Sequence, residues 1–237
     1  MVVLRSALFA VWMYATLILF GVGCLPMIGV RRGALWAIRG WSRGILWGLR
    51  VIVGLKVEVR GEQYRPKGPA LVASKHQGEL DGIAPFVLLD DPCFVLKREL
   101  MRLPILGWYA ARSRMIPVDR EGGSKTVRAL SAAARDRLTE ARQIVIFPEG
   151  TRQVPGAPPD YKSGVSALYR DMDSPCVPLA TNSGLFWPPK GLLRYPGTCV
   201  YEFLEPIPPG LKRADFMRLL EERIETASTA LTAEGRR

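Results

Sequence analysis

The stretch "ALVASKHQGELD" (residues 70–81) opens as a short apolar run and ends in a turn that carries the only histidine of the 237-residue chain. An apolar run of this length, followed by Gly78, fits a buried strand and is too short for a helix. "QIVIFPEGTR" (143–152) has the same form: a β-branched run, then a turn built on Pro148 and Gly150. Five more strand candidates lie at 56–60, 93–97, 115–118, 176–181 and 198–204. Helix candidates lie between them at 79–90, 98–112, 124–141 and 162–171, and after the last of them at 213–233. In 124–141, Val127, Leu130, Ala134, Leu138 and Ala141 fall on one stripe, the spacing of an amphipathic helix. Strands alternating with helices predict an α/β fold, a largely parallel sheet flanked by helices. Ligands of such sheets gather at the carboxyl ends of the strands. His76, the 147–152 turn and Arg120 each follow a predicted strand at that edge, so one crevice can collect all three.

The N-terminal quarter has a different texture. Between Arg5 and Arg31 stand 25 uncharged residues. As a helix they would span roughly 38 Å, enough for a hydrocarbon core of about 30 Å. No small-residue cleavage site follows, which argues against a signal peptide. In the next segment Arg32, Arg39, Arg43 and Arg50 share one helical stripe beside an apolar face of Ala34, Leu35, Ile38, Trp41, Ile45, Leu49 and Ile52. Two readings fit: an interfacial helix, and a core helix with a solvated arginine edge. The predicted organisation is a membrane-spanning or interfacial helical anchor over 1–55 and an α/β domain over 56–237, with the arginines placing the domain on the cytoplasmic side of the cell's inner membrane.

Charge and cysteine usage narrow the function classes. Of the net charge of +11, +7 falls within residues 1–60, beside the apolar segment, where it meets anionic headgroups rather than a nucleic-acid groove. No helix-turn-helix, RNA-recognition or zinc-finger pattern is present, so nucleic acid is not an expected partner. Cys24, Cys93, Cys176 and Cys199 are widely spaced and there is no second histidine, so neither a zinc cage nor a disulfide framework is expected.

Chemistry concentrates in the two turns. A carboxylate on one imidazole nitrogen fixes the tautomer and leaves the other as a base, and Asp81 stands five residues after His76. No G-x-S-x-G elbow accompanies them, which disfavours a serine hydrolase and favours direct attack by a substrate hydroxyl that His76 deprotonates. In "FPEGTR", Gly150 permits close backbone approach and Arg152 can hold a phosphate, while Glu149 can bind a hydroxyl or orient the arginine. A plain strand-to-loop turn with a surface ion pair is the bland alternative.

Taken together, "HQGELD" and "FPEGTR" resemble the HxxxxD and FPEGTR blocks of the glycerolipid acyltransferases, and most closely those of the lysophosphatidic acid acyltransferases. "KRELMRLPILG" (97–107), "MIPVDR" (115–120) and "CVPLA" (176–180) resemble further blocks of that family in the same order, over roughly residues 56–205. The resemblance implies His76 as general base with Asp81 as its partner. It also implies Arg120, Glu149, Gly150, Thr151 and Arg152 around the acceptor phosphate, with Lys97 near the same anion. The reaction it implies moves a fatty acyl chain from acyl-CoA or acyl-carrier protein to the sn-2 hydroxyl of lysophosphatidic acid at the bilayer, without metal or organic cofactor. Another lysolipid acceptor, such as lyso-ornithine lipid, and a non-catalytic lipid-binding protein are the alternatives. Lys75 stands where the family usually has Asn, and Gly78 where it often has Ser; Lys75 adds a cation able to act on the imidazole or on a substrate anion.

Overall fold

The computed structural model describes residues 1–119 and 123–236. Two helices, α1 (Val2–Gly23) and α2 (Arg31–Gly48), precede an alternation of strands and helices. Strands β1 (Leu55–Arg60) and β2 (Ala70–Ser74) lead to α3 (Pro85–Leu88), β3 (Pro92–Lys97), α4 (Leu106–Arg112), β4 (Ile116–Val118) and α5 (Gly123–Thr139). Then come β5 (Gln143–Ile146), α6 (Gly164–Met172), β6 (Cys176–Thr181), α7 (Ser183–Phe186), β7 (Gly197–Phe203) and α8 (Arg213–Gly235). The strands form one sheet in the order β1-β7-β6-β2-β5-β3-β4, parallel throughout except between β6 and β7. Each expected strand forms, with its ends within one residue of expectation.

Two expected helices are shorter than their hydrophobic pattern. The segment 79–90 divides into a 3-10 turn, Glu79–Gly82, and the single turn α3, because Pro85 has no N–H to continue the ladder. The segment 98–112 divides into a 3-10 turn, Arg98–Arg102, and α4. Leu103, before Pro104, is extended, as the residue preceding a proline prefers.

The N-terminal helices belong to the same hydrophobic core as the sheet, with Phe9, Leu35, Ile45, Leu49 and Val53 in contact with the strand residues. Much of the apolar face of α2 therefore packs into protein, while Arg32, Arg43 and Arg50 are exposed. The fourth arginine of the stripe, Arg39, donates to the Leu89 carbonyl at 3.2 Å, and Arg31 grips Asp91 with contacts of 3.0 and 2.8 Å. Helix α1 is long and apolar enough to cross a membrane. One of its faces is docked on the domain from end to end. Ser6 Oγ accepts from the Arg194 amide at 2.8 Å, and the Phe9 ring stands edge-on to Trp187 at 5.5 Å. Trp12 Nε1 donates to Gly44 O at 3.0 Å, and Tyr109 Oη donates to Gly21 O at 3.2 Å. Gly40 and Gly48 of α2 leave room for Phe20 and Trp12, where an added Cβ would come within 2.5 and 2.4 Å of those side chains. The opposite face of α1, with Leu4, Leu8, Val11, Ile18 and Leu19, is exposed.

Because Phe9 is 1% exposed inside the shared core, Phe9→Ala should destabilise the whole domain by about 3 kcal/mol and lower Tm by roughly 6–12 °C. Thermal denaturation in detergent checks this; an unchanged Tm would mean that α1 is energetically separate from the α/β domain.

Candidate active site

Strands β2 and β5 are parallel neighbours with Ala73 opposite Ile146, so their carboxyl ends leave the sheet side by side. His76 and Phe147 are thereby brought together, and their rings stack at 3.9 Å between centroids, 15° from parallel. Strand β3 flanks β5 on the other side and brings Lys97 to the same edge. Arg120, expected after β4, lies outside the described residues.

The turn after β2 is folded around one carboxylate. Asp81 is wholly buried. Its Oδ2 accepts from the amides of Gln77 at 2.6 Å and Gly78 at 2.8 Å, and lies 3.3 Å from His76 Nδ1. Its Oδ1 accepts from Tyr201 Oη at 2.8 Å. A buried carboxylate requires such donors, since leaving it unpaired would cost several kcal/mol. Burial, and then the charge of Asp81, push the Tyr201 phenol well above its usual value, so it remains a donor. The carboxylate can only accept, so Nδ1 carries the proton and Nε2 keeps its lone pair. A distance of 3.3 Å is long for such a bond, as is common in unliganded sites. The turn also needs Gly78, because a Cβ there would stand 2.4 Å from the Trp187 carbonyl oxygen.

The second turn supports the first from behind. Glu149 Oε2 accepts the His76 backbone N–H at 2.8 Å, and Gln153 N donates to His76 O at 2.8 Å. Glu149 Oε1 is 2.7 Å from Lys75 Nζ. Burial raises the Glu149 carboxyl above its usual range, and Lys75 opposes that rise. The Glu149 side chain is 0% exposed, so in place of the expected contact with an acceptor it holds the histidine loop. Lys75 likewise faces Glu149 and Glu225, not the imidazole or a substrate anion. Gly150 takes φ +68°, a left-handed turn that suits glycine.

His76, Gly150, Thr151, Arg152, Lys97 and Glu79 form the polar wall of a cavity of about 750 Å³. Most of the remaining wall is apolar and includes Met13, Leu17 and Phe20 of α1, Trp41 of α2, and Phe94. Arg152 Nη1 donates to Glu79 Oε1 at 3.1 Å, and the Lys97 ammonium stands 3.7 Å from Glu99. The site thus joins an imidazole oriented by a buried carboxylate, a guanidinium and an apolar chamber. That combination suits proton abstraction from a hydroxyl on an amphiphile.

Sequence reasoning missed Tyr201, Glu225 and Arg194. Arg194 is buried, lies over Trp187 at 4.2 Å and reaches to 3.9 Å from Glu79. Tyr201 had a readable signal. It alternates with Cys199 and Phe203 on an inward strand face, where a phenol needs a partner. Tyr201→Phe should leave Asp81 Oδ1 buried without its donor and cost about 1–3 kcal/mol. Urea denaturation reads this directly, and an unchanged midpoint would remove Tyr201 from the support of the site.

Comparison with known proteins shows the family of the chain. Residues 56–182 match the Acyltransferase family. A 1-acyl-sn-glycerol-3-phosphate acyltransferase of Pseudomonas aeruginosa is 31% identical over 82% of this chain and 77% of its own length. The human 1-acyl-sn-glycerol-3-phosphate acyltransferase alpha is 28% identical over 82% of this chain and 71% of its own. In fold, the chain superposes on the crystal structure of the 1-acyl-sn-glycerophosphate acyltransferase PlsC from Thermotoga maritima. The TM-score is 0.79 at 20% identity, with 97% of this chain and 98% of that one covered. The chain belongs to the acyltransferase family.

Proposed function

We propose that the protein transfers a fatty acyl group from a thioester, acyl-CoA or acyl-carrier protein, to the sn-2 hydroxyl of lysophosphatidic acid, forming phosphatidic acid. The observation that carries this reading is the sole imidazole, held by a buried carboxylate, opening on a largely apolar cavity whose polar wall includes Arg152 and Lys97. Its substrate comes from the relatives, named as acting on 1-acyl-sn-glycerol-3-phosphate.

His76 Nε2 takes the proton of the hydroxyl as its oxygen bonds to the thioester carbonyl carbon. Asp81 steadies the imidazolium. The tetrahedral adduct collapses, the C–S bond breaks, and the imidazolium returns its proton to the departing thiolate, so the base is regenerated. Arg152 and Lys97, with Arg120, hold the acceptor phosphate, and Gly150 and Thr151 line the approach. The acyl chain takes the apolar wall. Most of the rate comes from holding hydroxyl and thioester together beside the base.

The reaction takes place at the cytoplasmic face of the inner membrane. Helix α1 is docked on the domain near both its ends, through Ser6 and through Gly21. We therefore place α1 along one leaflet, with its exposed apolar face in lipid and Arg32, Arg43 and Arg50 facing anionic headgroups.

One observation favours a different headgroup: Arg152 already pairs with Glu79, a carboxylate that a dianionic phosphate must displace and that an ammonium-bearing lysolipid would find attractive. The purified protein with lysophosphatidic acid and acyl thioester should release one free thiol per phosphatidic acid formed. His76→Ala should lower turnover by about 10²- to 10⁴-fold, and Arg152→Ala should raise the KM for lysophosphatidic acid. Normal turnover by His76→Ala would remove the assigned base. A preference for an ammonium-bearing acceptor, insensitive to Arg152→Ala, would replace the phosphomonoester, and no thiol release with any lysolipid would leave a non-catalytic lipid binder.

A further inference from the structure

Lys75 immediately precedes His76, yet its side chain leaves the cavity and enters the protein with 4% of its surface exposed. Its ammonium lies 2.7 Å from Glu149 Oε1 and 2.7 and 2.9 Å from the two oxygens of Glu225 on α8. Tyr161 Oη, in the loop after the 147–152 turn, donates to Glu225 Oε1 at 2.8 Å. Glu149 in turn accepts the His76 N–H. A continuous series of polar contacts therefore runs from the C-terminal helix through Lys75 and Glu149 to the backbone of the catalytic loop. Its partners lie 74 and 150 residues from Lys75 in sequence.

We propose that Lys75 is a positioning residue for acyl transfer: by bridging Glu149 and Glu225 it fixes the Glu149 carboxylate on the His76 amide and couples the seating of α8 to the orientation of the imidazole. The inference rests on the proposed function for its kinetic consequence alone.

The physical reason is charge balance. Two carboxylates share one ammonium in a buried site, and the groups facing Glu149 are Lys75 at the end of β2, Glu225 on α8 and Tyr161 in the loop between. Burial pushes the Glu149 carboxyl up, and Lys75 is the largest influence holding it down. Without the ammonium, two acids confront one another, and one of them takes up a proton. A protonated Glu149 is a poorer acceptor for the His76 amide, because hydrogen bonds to a charged acceptor are about twice as strong as neutral ones. The loop then loses its hold from behind, and the Nδ1–Asp81 geometry loosens with it.

The test uses the full chain in detergent micelles with Lys75→Met and Lys75→Met/Glu225→Gln. The double variant removes one of the two stranded acids, so the measurement survives even a failure of the single variant to fold. Two readouts separate positioning from mere stability. Because the chain has one histidine, nitrogen-15 histidine NMR reports the imidazole without an assay: both variants should lose the hydrogen-bonded Nδ1–H signature of the wild type. In kinetics, kcat should fall about 10- to 100-fold, as for a misplacement on the order of 1 Å, with the acceptor KM within about twofold. The deficit should shrink as pH rises, since Glu149 then re-ionises. An imidazole spectrum unchanged in both variants overturns the proposal, as does a double variant restored to wild-type kcat, which would reduce Lys75 to neutralising Glu225. If the wild type itself shows no turnover, the proposed function falls, and the NMR comparison still decides the positioning role.

Discussion

The carboxylate of Asp81 is the constraint from which the rest of the site follows. A charge with no exposed surface is tolerable only inside a complete set of donors. Here the set is two consecutive amides, the imidazole and the Tyr201 phenol. Collecting the Gln77 and Gly78 amides forces the chain to double back immediately after β2. That tight return brings Gly78 against the Trp187 carbonyl and leaves no room for a side chain. It also aims His76 Nδ1 inward. With Nδ1 committed to Asp81, Nε2 is the ring nitrogen that keeps its lone pair.

The order of strands places the remaining chemistry. With β5 between β2 and β3, all parallel, three strand ends deliver His76, the 147–152 turn and Lys97 to one edge. The edge is closed by the N-terminal helices, whose inner face supplies Met13, Leu17 and Phe20 to the cavity. The two sides of α1 thus differ in their surroundings. Its exposed side is apolar over most of its length, and its docked side forms the wall opposite the base.

Much of this was legible in the sequence, for reasons that also mark where legibility stops. The strands were readable because buried parallel strands are short apolar runs bounded by Gly, Pro and charge. His76 and Asp81 were readable as a pair because the turn that joins them is local. Tyr201, Glu225 and the Lys75–Glu149 contact were not, because their partners lie 74 to 150 residues away and only the sheet order brings them close. The α2 stripe shows a different limit. Periodicity identified its apolar face, but a period of 3.6 residues does not say whether that face meets lipid or protein. The structure answers with Ala34, Leu35, Ile45 and Leu49 in the core. Glu149 is a third case: an acid beside an arginine reads as ligand-binding, yet burial turned it toward the backbone of His76.

The charged groups around the cavity fall into two sets that differ in how firmly they are held. The guanidinium and ammonium groups of the cavity wall are only partly satisfied at rest. Arg152 pairs with a half-exposed Glu79, and Lys97 with an exposed Glu99 at 3.7 Å. Exposed pairs of this kind are worth about 1 kcal/mol or less, so an incoming anion can displace them at little cost. The acids that must not move, Asp81 and Glu149, are buried and held by amides, a phenol and an ammonium. Weak pairs at the mouth and strong ones behind the imidazole thus divide the site into a part whose partners exchange readily and a part that holds the ring in place.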